Sequence, residues 1–195
     1  KSVDWKKAAS TLTGVHPSVF IHDKELDYFS NSASPLDYAV ATRLFFQGRY
    51  DLAMRRLDGV RKGHPMFVER SYLKGLISLI QGNPKDAATY FGSCIRGFSD
   101  KSASAGKPEG YIRMFRNRCI QQFSRVLYAQ NRHKDSLKIM RAIPKTDFIW
   151  PNTILERAWS HYYLDQRPLS LGLLISFKAP ILQRYMTPEA QYLKS

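Results

Sequence analysis

Two stretches decide the fold: Gln47-Gly48-Arg49-Tyr50-Asp51-Leu52-Ala53 and Gln81-Gly82-Asn83-Pro84-Lys85-Asp86-Ala87. Their closing alanines stand 87 − 53 = 34 residues apart, and each stretch sits between two segments with helical spacing of apolar residues. A fixed period of this length marks a stacked repeat, in which one helix pair cannot bury its apolar face without a neighbour. The interval continues in the second half. Ser136 takes the slot of Ala53 and Ala87, and Ser170 follows at 170 − 136 = 34. From Ala87 to Ser136 the step is 136 − 87 = 49, one period plus 15 residues. That excess coincides with the polar segment Ser99–Lys107 and a long helical segment after it.

Start and stop signals place the helices around this frame. Ser34-Pro35 pairs an N-cap with a first-turn proline, and the helix it opens runs to about Gln47. Gly48 turns the chain into a second helix from Tyr50 to about Lys62, stopped by Gly63-His64-Pro65. The third helix spans Met66 to Ile80 and the fourth Lys85 to Phe98, joined by Gly82-Asn83-Pro84. Pro108-Glu109 opens a longer helix to about Gln130, followed after Asn131-Arg132-His133 by Lys134–Ala142. Thr153-Ile154-Leu155-Glu156 has the form of a capping box, with its helix reaching about Leu164. Asp165–Pro168 is the next turn, Leu169–Phe177 the partner helix, and Thr187-Pro188-Glu189 starts a last one.

With these features the chain resembles the tetratricopeptide repeat (TPR) family over about residues 35–178. The small residues at the helix crossings would be Ala41, Gly75, Ser124 and Ala158 in the first helices, and Ala53, Ala87, Ser136 and Ser170 in the second. Leu57, Phe91, Met140 and Leu174 fill the slot of the large residue late in the second helix; Tyr50 matches the turn aromatic and Pro65 the terminal proline. The motif's early Trp is replaced by Asp37, Ser71, Ile120 and Ile154. The resemblance implies an all-α, right-handed α-solenoid of antiparallel helix pairs. Its repeats would be 35–65, 66–98, 108–148 and 151–178, with a loop insertion at 99–112. Residues 1–34 would form an N-terminal helical extension, and 179–195 the start of a fifth repeat or a capping helix.

In that family the first helix of each pair lines a concave groove. Carried over, the groove candidates are Tyr38, Thr42 and Phe45; Tyr72, Leu76 and Leu79; Arg118, Gln121, Arg125 and Tyr128; and Leu155, Trp159 and Tyr162. The spacing of Arg118, Gln121, Arg125, Tyr128 and Arg132 independently gives one polar stripe, opposite an apolar face of Phe115, Cys119, Ile120, Phe123, Val126 and Leu127. Tyr and Trp flanked by Arg is the composition of a binding hot spot, since arginine forks hold carboxylates while aromatics bury apolar groups. The expected function is a non-catalytic scaffold or adaptor that holds an acidic, partly hydrophobic peptide or protein segment. The plain alternative is aromatics packed between helices and a solvated arginine face. The carboxylate clamp of some TPR domains is not expected, because its slots hold Tyr38, Thr42 and Gln122, leaving only Arg118 in place.

Thirty Lys and Arg against sixteen Asp and Glu give a formal charge of +14, which favours anionic partners. A rival function is therefore nucleic-acid binding through Arg55/Arg56/Arg61/Lys62 and Arg113/Arg116/Arg118. No recurrent base-reading pair supports it. Catalysis finds no HExxH, phosphate loop or nucleophile elbow, and the five histidines show no metal spacing, so neither a metal nor a cofactor is expected. No apolar run reaches the length of a spanning helix. Cys94 and Cys119 are read either as a disulfide or as two separate buried thiols. That pair, with a start at Lys1 rather than Met, leans the expected location towards the periplasm or cell envelope.

Overall fold

A computed structural model describes residues 37–62, 64–98 and 106–195. The expected N-terminal extension, the Ser34-Pro35 helix start, Gly63 and most of the polar segment from Ser99 lie outside the described residues. Among the described residues the regular elements are all helical. Ten α-helices follow in order: α1 Asp37–Phe46, α2 Tyr50–Gly59, α3 Phe67–Ile80, α4 Pro84–Gly97, α5 Glu109–Ala129, α6 His133–Met140, α7 Trp150–Tyr163, α8 Arg167–Ile175, α9 Pro180–Gln183 and α10 Pro188–Lys194. The chain divides into two compact units after Arg113.

In the first unit α1 packs on α2 and α3 on α4, with α2 and α3 also in contact. Val40, Ala41, Leu44, Ala53, Leu57, Leu73 and Ile77 form one buried cluster. In the second unit α7 packs on both α6 and α8, and Ile154, Ala158, Leu174, Phe177 and Ala190 form the cluster there. Residues expected at the crossings are buried: Ala41, Ala53, Ala87, Ser136 and Ala158 show no exposure, and Ser124 only 1%. Where serine replaces alanine, its hydroxyl is satisfied locally. Ser124 Oγ lies 2.8 Å from Ser136 Oγ, and Ser170 Oγ donates to the Ala158 carbonyl at 2.9 Å. Polar groups buried this way cost little, because each finds a partner.

The turns repeat more faithfully than the residues do. Gly48, Gly82, Asn131 and Asp165 all have left-handed φ, of 74°, 75°, 59° and 55°. Each follows the same scheme. The N–H after it donates to the carbonyl five residues back: Arg49 to Leu44, Asn83 to Ser78, Arg132 to Leu127 and Gln166 to His161. The turn residue's own N–H donates three residues back, to Phe45, Leu79, Tyr128 and Tyr162. This is the Schellman closure of a helix, and it satisfies carbonyls that the helix end would otherwise leave bare. Nothing lies within 4 Å of a Cβ built on Gly48 or Gly82, so an alanine there meets only backbone cost. Gly48→Ala and Gly82→Ala should each lower stability by about 1 kcal/mol, and Asp165→Gly should raise it by about 0.5–1 kcal/mol. Urea denaturation of the three variants checks this; unchanged midpoints for both alanine variants would contradict it.

Three expectations need correcting. First, α2 ends at Gly59, not near Lys62. A Cβ on Gly59 would run into the Asp37 carboxylate, which also pairs with Arg56 at 3.1 Å. The position that carries Trp in the repeat motif thus holds a buried acid with a cationic partner. Second, Thr153 is no N-cap. It lies inside α7, its hydroxyl donates to the Trp150 carbonyl at 2.7 Å, and Pro151 occupies the first turn instead. Third, α8 stops at Ile175 and gives way to a single 3-10 turn, Ser176–Lys178. Ala179 is then extended ahead of Pro180, as the residue before a proline tends to be, and the short α9 follows. At the last helix, by contrast, Thr187 does cap, accepting from the Ala190 N–H at 3.2 Å.

Candidate functional site

The second unit holds a cavity of about 230 Å³, lined by Ser124, Arg125, Tyr128, Ser136, Glu156, Trp159 and Glu189. Arg125 and Tyr128 are one turn apart on α5, and Glu156 and Trp159 one turn apart on α7. Such spacing aims both side chains of a helix to one side. Glu189, from the first turn of α10, completes the wall.

The polar groups are organised around Glu156. Its Oε1 accepts from Arg125 Nε at 2.9 Å, from Arg125 through a second guanidinium nitrogen at 2.6 Å, and from Gln121 Nε2 at 3.0 Å. Its Oε2 is shielded from solvent and accepts no hydrogen bond. Burial pushes the Glu156 carboxyl above its ordinary range, while the Arg125 guanidinium pulls it back. Across the cavity, Trp159 Nε1 donates to Glu189 Oε1 at 2.7 Å.

The aromatic side is continuous. Trp159 meets Tyr162 edge-on at 5.7 Å and Tyr163 at 6.0 Å. Tyr163 stacks on His133 at 4.9 Å, and Tyr128 stands edge-on to both. Rings in these offset and T-shaped contacts hold one another in place. Burial, with Tyr163 beside it, pushes the Tyr128 hydroxyl up to about 12, so this phenol stays protonated at neutral pH. Tyr162 and Tyr163 are nevertheless about half exposed, at 46% and 58%.

Among the groove candidates, Gln121, Arg125, Tyr128, Trp159 and Tyr162 come together here. Arg118 stands apart, exposed, with its guanidinium 5.8 Å from the centre of the Phe148 ring. Leu155 packs against the second unit's core. Tyr38 and Phe45 pack against the core of the first unit, and Tyr72 lies edge-on to Phe91 at 5.8 Å. The expected polar stripe along α5 is not one solvated line: Gln121 is buried, Tyr128 is half-buried among rings, and Arg132 lies beyond the helix, paired with Asp135 at 2.8 Å. Arg125 is no free cation, since Glu156 already holds it.

Sequence reasoning missed Glu156, Glu189, Tyr163 and His133. The capping-box pattern of Thr153–Glu156 points Glu156 to the backbone instead. A search for carboxylates one turn from a groove aromatic would have found it, three residues before Trp159.

Cys94 and Cys119 are both buried and disulfide-bonded, and neither is a free thiol. Among the described residues no group of His, Cys, Asp and Glu is arranged to hold a metal ion, and no helix is long and apolar enough to cross a membrane. Comparison with protein-family models, curated proteins and solved structures finds no match to this chain.

Proposed function

We propose that this protein is a non-catalytic helical-repeat scaffold of the TPR type, a right-handed solenoid that docks a protein partner on the α5–α7 side of its second unit. One observation carries the proposal. Trp159, Tyr162 and Tyr163 form a mutually braced aromatic face, partly exposed, at the edge of a preformed cavity. Braced Trp and Tyr beside a pocket give large contact area at small entropic cost, which is how interface anchors work. Supporting it are the 34-residue period, the four matching turns and the small residues at the crossings.

The acidic preference expected from the arginines does not carry over to this cavity. Arg125 is neutralised by Glu156, and Glu189 adds a second carboxylate.

The experiment is affinity capture from nuclease-treated extract of the source cell, with wild type beside a Trp159→Ala/Tyr162→Ala variant shown by circular dichroism to be folded. Loss of a Trp anchor should cost at least about 2 kcal/mol, about thirtyfold in affinity, so discrete partners should bind wild type only. Identical capture by both baits would refute docking at this face. Capture seen only when nuclease is omitted, with a steep fall in salt, would favour the nucleic-acid alternative.

A further inference from the structure

We infer that the α5–α7 cavity receives one basic side chain, the guanidinium of an arginine or the ammonium of a lysine, presented by the partner protein. The inference rests on the docking proposed above and specifies what enters the cavity.

Three observations lead there. The walls carry two carboxylates, Glu156 and Glu189, against one guanidinium, and Arg125 spends both of its observed contacts on a single Glu156 oxygen. The other oxygen of that carboxylate is shielded from solvent, out of reach of anything in the cavity, so the carboxylate left over is Glu189, which accepts from the Trp159 N–H and, among the described residues, pairs with no cation. A cation in the cavity supplies the missing counter-charge. The remaining wall includes the aromatic residues Tyr128 and Trp159, and aromatic rings attract cations, Trp most strongly.

Size narrows the occupant further. Pockets for drug-sized ligands span roughly 300–1,000 Å³, so about 230 Å³ suits one side chain better than a cofactor. Charge sets it apart from its surroundings, because a net-acidic pocket on a chain of formal charge +14 is not the background of this surface. A basic protein segment would be repelled elsewhere and accepted here, which gives specificity as well as affinity.

The test titrates four peptides into the folded protein: Gly-Gly-Arg-Gly-Gly, Gly-Gly-Lys-Gly-Gly, Gly-Gly-Glu-Gly-Gly and the citrulline analogue of the first. The readout is the indole N–H resonance of Trp159, assigned with Trp159→Phe. The Arg and Lys peptides should move it saturably; the Glu and citrulline peptides should not. Glu189→Gln keeps an oxygen for the Trp159 N–H but loses the charge, and should weaken the Arg peptide about tenfold, the effect of one charged contact. Glu156→Gln brings the charge of the lining from −1 to zero and releases Arg125 to repel a cation, and should abolish the preference for the Arg peptide over citrulline. Equal response to arginine and citrulline, a response to Glu in wild type, or no response to any peptide each overturns the basic-side-chain inference. The capture experiment separates that failure from failure of the docking reading: Trp159- and Tyr162-dependent partners with no basic preference leave docking standing and remove only the occupant.

Discussion

Glu69→Ala should lower the stability of the protein by about 3–5 kcal/mol in urea denaturation, the largest effect expected of any single polar change here. The Glu69 side chain is 1% exposed and that of Lys107 3%. Lys107 Nζ donates to Glu69 Oε1 at 2.7 Å, to Oε2 at 2.9 Å and to the Pro65 carbonyl at 2.6 Å. The Tyr111 hydroxyl donates to Oε1 at 2.8 Å. The same buried charge helps raise the pKa of Tyr38, whose main cause is burial. Removing the carboxylate strands an ammonium where water does not reach, and the stranded charge is the source of the cost. Glu69→Gln keeps an acceptor for Lys107 and Tyr111, so it should cost clearly less than alanine. Glu69→Leu combined with Lys107→Met, which removes both charges together, should recover much of the loss. A loss below about 1 kcal/mol for Glu69→Ala would mean that water reaches the pair.

The second large effect belongs to an apolar contact. A Cβ on Gly75 would lie 2.6 Å from Phe91 Cε1 and under 3 Å from two further ring atoms, and Phe91 is fully buried. Phe91 cannot swing aside into solvent, so Gly75→Ala should cost about 1–3 kcal/mol through overpacking. Phe91→Ala should cost about 3–5 kcal/mol by leaving a cavity. The decisive comparison is the double change Gly75→Ala/Phe91→Leu. The smaller ring-less side chain makes room for the methyl group, so the double variant should lose less than the sum of its two single changes. Strict additivity in denaturant unfolding would show that the two residues do not share the crossing.

The periodic part of this architecture was legible because its causes are local. Small residues must stand where helices touch, and a left-handed residue must end each first helix, so Ala53, Ala87, Gly48 and Gly82 announce themselves at a fixed interval. Asn131 and Asp165 tolerate the same backbone and kept the interval visible after the glycines were gone. The site was less legible because its causes are distant. Glu156 meets Gln121 and Arg125 across 35 and 31 residues, and Trp159 meets Glu189 across 30. Hydrophobic period says which face of α5 and α7 turns inwards. It does not say which charges on the outward faces find one another. Arg125 therefore read as an open donor for an acidic ligand, although its partner was already in the chain. Asp37 was likewise a gap in a motif until Arg56 and Gly59 supplied the reason for it.

The separation between Glu69 and Lys107 bears on the order in which the chain assembles. Each helix hairpin closes through a turn whose bonds span at most five residues, so its loop entropy is met early and quickly. The Glu69–Lys107 bond spans 38 residues and has to wait until α3 stands and the segment ahead of α5 has come back to it. An interaction made after the rate-limiting step does not speed folding; it slows escape from the folded state. The buried ion pair is in that sense a latch. Breaking it with Glu69→Ala is accordingly expected to speed unfolding more than it slows folding, which stopped-flow kinetics in urea would show.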